Sequence, residues 1–298
     1  MRIDYGEVLT ESINLAFTRK FIWLIFFIGS WTSIIFNYFT RDFSFDFTQS
    51  QPDPLFLKSS LIILASTVAI FFLNFLINLF GTSGAIKLAG ENYNDRLLSI
   101  SETIEAGLRF MPGIFFIAFL VWIPVGIIFG IFFSIPFSFF VVSVFSGTID
   151  GVLVLGILGL FIIMSLAFFA VAVFASMLIN FAVRYYVLYG VGVTKSLNSA
   201  YEKIREEKGK ILFFWLIIFL FSSMFYITFG VVLFSISFFI PLLQSSYDVT
   251  FVILYLAPLS VVISLLQSFF TYFIINSWTH FFIKIIGKSQ EELGYEAR

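Results

Sequence analysis

The sequence contains no cysteine, a single histidine and few charged residues. Of its 298 residues, 12% are charged and 60% are hydrophobic. Without cysteine the chain has no disulfide, no iron–sulfur cluster, no thiolate metal site and no cysteine nucleophile. The one histidine, His280, cannot build a zinc site without several carboxylates nearby. The formal net charge of −1 gives no sign of nucleic-acid binding, so we expect neither a cofactor nor a nucleic-acid partner.

The hydrophobic content indicates an integral membrane protein. Soluble domains contain roughly 45–50% apolar and about 25% charged residues, and the mean hydropathy here is +1.02. We expect the 45 phenylalanines to face lipid and to fill space between helices. Membrane lipids are the expected partners, with a second copy of the chain or another membrane protein as a further candidate. The residues before Phe21 lack the apolar region and cleavage site of a signal peptide, so the first span is predicted to be permanent.

Six apolar runs are long enough to cross a membrane, because about 20 residues of helix span a ~30 Å hydrocarbon core. These runs are 21–40, 59–86, 110–145, 151–183, 211–247 and 249–283. Of the 17 Lys and Arg residues, only Arg41 and Lys58 fall on one side of the six spans, and the rest fall on the other. Positive residues mark the cytoplasmic side, so both termini are predicted to be cytoplasmic, in a multi-pass protein of the cell membrane.

The later runs are longer than one crossing requires. Pro136 and Pro241 lie within two of them, and proline removes a backbone donor and clashes with the preceding turn. We therefore expect the helices to break near these prolines. The apolar segments around them are predicted to leave the core on the outer side, as helix extensions or short interfacial pieces.

Three kinds of marker recur with a period of about 95 residues, which predicts an internal triplication. The segments ESINLAF, ETIEAGL and KSLNSAY share one pattern of charged, hydroxyl, aliphatic, polar, any, small and bulky residues. The markers are the hydroxyl residues Ser12, Thr103 and Ser196, the aspartates Asp53, Asp150 and Asp248, and the asparagines Asn78, Asn180 and Asn276. The predicted units are about 1–94, 95–192 and 193–298, in a single membrane domain.

Each unit is predicted to begin with a short amphipathic helix in the cytoplasmic interface, followed by a hairpin of two spans. Apolar residues recur at helical spacing in each segment. Ser99 and Glu102 are spaced as a capping box at the start of the second. A binding surface for a soluble partner is the alternative interpretation. The predicted fold is thus an all-α integral membrane protein with six transmembrane helices in three parallel helical-hairpin repeats.

The aspartates and asparagines have a structural and a functional interpretation each. Asp53, Asp150 and Asp248 are suited to cap the outer starts of the even-numbered spans, where a carboxylate accepts free backbone N–H groups. An intramembrane aspartyl protease would need a second motif that the sequence lacks. The asparagines lie in the cytoplasmic halves of spans 2, 4 and 6. They are predicted to form a polar clasp between repeats, or alternatively a polar ring in a pore.

The chemistry of known catalytic and transport motifs is missing. No Asp, Glu, Lys or Arg lies inside any predicted span, which argues against a proton- or sodium-coupled transporter. Phosphate-loop, zinc-protease and serine-hydrolase motifs are also missing. GTSG at 81–84 is interpreted as small residues that permit close helix packing. His280 is interpreted as a hydrogen-bonded interfacial histidine, with a general base as the alternative.

The segments ESINLAFTRKFIWLI and KSLNSAYEKIREEKGKILFFW carry a small-residue amphipathic helix, a basic stop and then a span. In this the chain resembles a loose group of multi-pass prokaryotic proteins related to the membrane domain of some glycerophosphodiester phosphodiesterases. The resemblance implies a membrane-domain role and transfers no catalytic residue, since the soluble phosphodiesterase barrel is absent.

The sequence favours a non-enzymatic scaffold or accessory membrane domain. The second hypothesis is a transporter or channel for a neutral, amphiphilic or lipid-like solute, and an intramembrane enzyme is a distant third. A continuous polar path would favour transport, whereas a phenylalanine-packed interior would favour the scaffold.

Overall fold

A computed structural model describes residues 3–40, 54–145, 151–242 and 257–287. Side chains are not described for residues 32–40, 54–63, 144–145, 151–154, 232–242 and 257. The described residues form eight α-helices. They are α1 (Tyr5–Thr18), α2 (Phe21–Thr40), α3 (Pro54–Tyr93), α4 (Ile100–Phe145), α5 (Gly151–Tyr189), α6 (Val193–Glu206), α7 (Lys208–Leu242) and α8 (Ala257–Ile286).

Five of these helices, α3, α4, α5, α7 and α8, are long and apolar enough to cross a membrane. A sixth crossing is counted if α1 and α2, which meet at a bend of 84°, are taken as one broken span. Large apolar side chains stand exposed along the long helices, for example Phe71 at 74% and Leu155 at 71%. Apolar surface of this extent is suited to lipid and not to water. The described residues therefore form an all-helical fold whose long apolar helices are suited to a membrane.

The first helix is capped at its start and turned sharply at its end. The Asp4 carboxylate accepts hydrogen bonds from the backbone N–H groups of Gly6 and Glu7, at 2.9 and 3.2 Å, which satisfies donors that a helix leaves free. After Thr18 the chain bends into α2, and Trp23 Nε1 donates back to the Ala16 carbonyl at 3.0 Å. This hydrogen bond ties the first turn of α2 to the last turn of α1.

Helix α4 corrects two expectations, because it runs without interruption for 46 residues. The predicted break near Pro136 does not occur, and the second unit has no separate short helix before its span. A proline in a continuous helix forfeits only one backbone hydrogen bond, whereas a break at this point would leave several backbone groups unpaired. The apolar segment after Pro136 is accordingly a helix extension. In α7 the helix also continues through Pro241 to Leu242, and the residues that follow lie outside the described ones.

Three helices end on a residue with positive φ, and these are the only such residues in the described parts of the chain. They are Asp95 after α3 (58°), Gly190 after α5 (63°) and Gly287 after α8 (61°). At the first, Arg96 N–H donates to the Glu91 carbonyl and Asp95 N–H to the Asn92 carbonyl, the two bonds of a Schellman motif. The next helix then begins with the predicted capping box, which is confirmed: Ser99 N–H donates to Glu102, and Glu102 N–H donates to Ser99 Oγ.

The three hydroxyl residues of the repeated segments share one environment. Ser12, Thr103 and Ser196 are buried, with 0, 1 and 0% exposure. Each hydroxyl donates to a backbone carbonyl four residues earlier in the chain, at 2.7, 2.9 and 3.0 Å respectively. The small residue four positions later is buried as well, whereas the bulky residue after it is exposed in all three segments. These pairs are Ala16 and Phe17, Gly107 and Leu108, and Ala200 and Tyr201.

The chain divides into two compact units, residues 1–111 with 216–298, and residues 112–215. In the first unit α8 packs against α1, α2 and α3, and α2 packs against α3. Small residues of α3 permit close approaches: a Cβ on Gly81 would lie 2.9 Å from the Phe26 ring of α2, and one on Gly84 would lie 3.0 Å from the Thr103 carbonyl oxygen of α4. This supports the interpretation of GTSG as a packing segment.

In the second unit α6 packs against α5. The α4 and α5 helices meet through aromatic rings, with the Phe129 and Phe168 centroids 4.2 Å apart. Gly113 lies directly against Tyr186, whose ring a Cβ would meet at 2.0 Å. Stacked aromatic rings and a close approach at a glycine therefore join α4 to α5.

Candidate functional site: a buried polar row on α8

Every fourth residue of α8 over most of its length is polar. We call these six residues the α8 polar row: Ser264, Ser268, Tyr272, Asn276, His280 and Lys284. The first four have 0% exposure and His280 has 3%. An apolar helix in a membrane protein turns such groups toward protein rather than lipid, because hydrocarbon offers them no hydrogen bonds.

The row is long enough to cross the membrane. From Ser264 to Lys284 the helix rises about 30 Å at ~1.5 Å per residue, which matches the thickness of the hydrocarbon core. A step of four residues also turns the helix by about 40° beyond a full circle, so the row winds around α8. It stays buried because α1, α2 and α3 all pack on this helix.

Most polar atoms of the row have no protein partner among the described residues. These atoms are Ser264 Oγ, Tyr272 Oη, Asn276 Oδ1 and Nδ2, and His280 Nε2. Tyr272 Oη lies beside the Asn276 amide one turn along, but the pair falls short of hydrogen-bond geometry. A buried polar group without a partner costs about 1–3 kcal/mol. Native proteins retain such groups for a reason, so the row is the strongest candidate for a functional site.

A cluster of charged residues closes the end of the row at Lys284. His280 Nδ1 lies 3.0 Å from Glu11 Oε2, and Lys284 Nζ lies 3.3 Å from the same oxygen and 2.9 Å from Glu7 Oε2. The Tyr93 ring meets the His280 ring edge-on at 6.1 Å. The predicted hydrogen bonding of His280 is thus confirmed, and its partner is a carboxylate on α1.

The cluster is half open to solvent on the α1 side. The Glu11 side chain is 36% exposed, whereas those of His280 and Lys284 are 4% and 14% exposed. Partial burial acts to raise the pKa of Glu11, but hydrogen bonds from His280 and Lys284 outweigh it and hold that pKa below its usual value. Glu11 is therefore an ionised acceptor at neutral pH, so His280 Nδ1 carries the proton of their hydrogen bond.

The three predicted asparagines lie in three different environments. Asn276 is the fully buried member of the α8 polar row. Asn78 is exposed and donates to the Asn74 carbonyl of its own helix at 2.8 Å. A Cβ on Gly29 would lie 3.9 Å from Asn78 Nδ2, so α2 passes close to this amide. Asn180 is half-buried and donates to the Ser176 carbonyl at 2.9 Å. The bonds recorded for Asn78 and Asn180 thus remain within their own helices, and the clasp or pore ring stays a prediction.

The three predicted aspartate caps, Asp53, Asp150 and Asp248, lie outside the described residues. Helix α3 does begin at Pro54 and α5 at Gly151, each directly after a predicted cap. The proposed capping bonds themselves stay predictions.

One basic residue lies deeper than the sequence indicated. Arg184 is 2% exposed within α5, which continues beyond the predicted end of its span to Tyr189. Its Nη1 donates to the backbone oxygen of Asn180 at 2.6 Å and to Asn180 Oδ1 at 3.1 Å. Asn180 therefore helps to hold a buried guanidinium.

Sequence reasoning missed the α8 polar row and the Glu7, Glu11 and Lys284 cluster. The polar spacing of four residues between Ser264 and Lys284 is visible in the sequence and could have revealed the row. No pattern indicates that Glu11 meets His280, because 269 residues separate them. No family model, curated protein or solved structure matches the chain, so its resemblance to the phosphodiesterase membrane domains stays a prediction.

Proposed function

We propose that the chain is a six-span integral membrane protein of three helical-hairpin units, with both termini cytoplasmic. The equivalent burial and hydrogen bonding of the three repeated hydroxyl residues support the triplication. The positive-φ residues Asp95, Gly190 and Gly287 support it too, because they end helices 95 and 97 residues apart. α1 and α6 are then the interfacial helices of the first and third units, and lipid covers the exposed apolar side chains.

Labelling of single cysteines tests this topology, and the absence of native cysteine makes the labelling unambiguous. A cysteine at Ser50 is expected to react with an impermeant reagent from outside, and one at Glu206 from the cytoplasmic side. Reaction of both from the same side would refute the six-span topology.

We infer further that the protein is not an enzyme and that the first unit provides a path for small neutral solutes along α8. The observation that supports this path most directly is the α8 polar row, whose buried and unpaired atoms extend from Ser264 to His280, about 24 Å along the helix axis. Successive residues of the row are about 6 Å apart along the helix axis. A hydrogen-bonding solute or water between two of them would meet polar groups on both sides.

The scaffold or accessory domain remains the second candidate, and a specific observation supports it. The Phe225 and Phe270 rings stack at 4.0 Å between α7 and α8, a tight aromatic contact in the same unit as the row. An interior closed by such contacts would hold helices together and pass no solute. In that case the α8 polar row would only join α8 to its neighbours.

Solute permeability of purified protein in liposomes decides between the two candidates. Liposomes containing the protein are expected to swell faster in a urea gradient than protein-free liposomes, and the variant Asn276→Leu is expected to remove the difference. Ser277→Ala is the matched control, since Ser277 is equally buried on α8 but donates to the Phe273 carbonyl of its own helix. If liposomes with the native protein swell no faster than empty ones, the path is wrong and the scaffold is favoured.

A further inference from the structure

His280 connects two different environments through its two ring nitrogens. Nδ1 bonds to Glu11, a carboxylate that is 36% exposed on α1. Nε2 is buried and has no protein partner among the described residues, and Asn276 of the polar row lies one turn away along α8. A histidine with one nitrogen on an accessible carboxylate and the other on a buried polar path has the arrangement of a proton shuttle.

The charged groups around His280 carry a net negative charge while its imidazole is neutral. The groups that face it are Glu7 and Glu11 on α1, Lys284 on α8 and the uncharged Tyr93 ring on α3. Two carboxylates and one ammonium leave one negative charge uncompensated while the imidazole is neutral. Protonation of the imidazole therefore brings the cluster to neutrality, which offsets part of the cost of placing an imidazolium in this buried position.

We propose that His280 passes protons between Glu11 and the α8 polar row, so that the path along α8 is linked to proton movement. This proposal rests on the proposed path. It adds proton coupling, which the sequence had argued against because no Asp, Glu, Lys or Arg lies inside a predicted span. In one step a protonated water in the row gives its excess proton to His280 Nε2, which leaves a neutral water and forms the imidazolium. Nδ1 then gives its proton to the Glu11 carboxylate, and Glu11 releases it to the cytoplasm. The starting tautomer returns when, with the ring turned away from Glu11, water takes the proton from Nε2 and gives one to Nδ1, with no net change in the number of protons.

The spacing of the row allows the proton to travel beyond His280. Asn276 and Tyr272 follow at successive turns, each with polar atoms that are unpaired among the described residues. One turn of about 6 Å is bridged by a single water, because two O–H···O bonds of about 2.8 Å together span that distance. Arg19, at the corner between α1 and α2, is electrostatically close to Tyr272 and has no ion pair within the described chain. A proton that passes Tyr272 must overcome this positive charge, which slows the relay at that turn without removing its hydrogen-bonding groups.

Proton flux into liposomes tests the relay directly. The protein is reconstituted with an internal pH-sensitive dye, and a potassium gradient with valinomycin drives protons across the membrane. We expect the native protein to acidify the lumen faster than empty liposomes. His280→Gln keeps a hydrogen-bonding side chain but cannot accept a proton, and it is expected to slow the flux by roughly 10²-fold, the scale of a lost general acid–base group.

Two further variants protect the test against misfolding and non-specific leak. Glu11→Gln lies on the partly exposed side of the cluster and is expected to slow the flux as well, whereas Ser277→Ala is expected to match the native protein. Native flux equal to that of empty liposomes, or unchanged flux in His280→Gln, would overturn the relay. If urea still permeates when proton flux is absent, the relay alone is wrong; if both are absent, the path is wrong too.

Discussion

Replacement of the three repeated asparagines by leucine should have three different effects on stability. Leucine has the same number of side-chain heavy atoms as asparagine and the same branching at Cγ, so the change chiefly removes the hydrogen-bonding groups. A symmetrical clasp between repeats would instead make the three replacements equally costly, at about 0.6–2 kcal/mol each. The three variants therefore distinguish two cases. In one the asparagines form the predicted clasp, and in the other they lie in the three different environments described above.

The expected magnitudes follow from the partners of each amide. Asn78→Leu removes one bond at an exposed position and should change the free energy of unfolding by less than about 0.5 kcal/mol. Asn180→Leu removes an acceptor from the buried Arg184 guanidinium and should cost about 1.5–3 kcal/mol, the range for hydrogen bonds to charged groups. Asn276→Leu removes a donor and an acceptor that have no described protein partner. It should stabilise the protein by about 1 kcal/mol or more.

Thermal unfolding of the purified variants in one detergent measures the series. For a chain of this size, about 1 kcal/mol corresponds to roughly 2–4 °C in Tm. We expect Asn180→Leu to lower Tm, Asn78→Leu to leave it near the native value and Asn276→Leu to raise it. A gain in stability with a loss of permeability at Asn276 is typical of a site retained for function. Equal decreases in Tm for all three variants would refute this reasoning and support the predicted clasp between repeats.

Two further predictions concern helix packing at glycines and the pH dependence of the contact between α1 and α8. Gly113→Ala should destabilise the second unit because the new Cβ would meet the Tyr186 ring at 2.0 Å, whereas Gly126→Ala meets nothing within 4 Å and should stabilise its helix by up to about 1 kcal/mol. The opposite order of their unfolding temperatures would contradict the described packing. Hydrogen bonds from α8 depress the pKa of Glu11 in the folded protein. Its stabilising contribution to the packing of α1 is therefore complete above the pKa of an unfolded Glu, near 4.3. The contribution is lost as the pH falls through the lower pKa of the folded state. A spin label on a cysteine at Thr10 should therefore keep its mobility between pH 7 and pH 5 and gain mobility only below about pH 4; a change already at pH 6 would argue against this role of Glu11.

Local features of the fold could be predicted because they depend on neighbouring residues. The capping box at Ser99 and Glu102 depends on a spacing of three residues. The start of α2 at Phe21 follows directly after Arg19 and Lys20, and the start of α3 at Pro54 fits a residue favoured in the first helical turn. The break expected at Pro136 was wrong because a proline removes only one backbone hydrogen bond, and a long helix that keeps the others continues through it.

Some features of the candidate site could also be predicted from the sequence, and others depend on the tertiary structure. The sequence by itself determined that the chain has apolar helices long enough to cross a membrane, because composition and run length decide both properties. It also placed polar residues at every fourth position of α8. Only the tertiary structure decided that α1, α2 and α3 bury this row and that Glu11 and Lys284 meet beside His280. The physical reason is that burial and ion pairing depend on which helices pack together, and residues 269 positions apart in the chain carry no local signal of that contact.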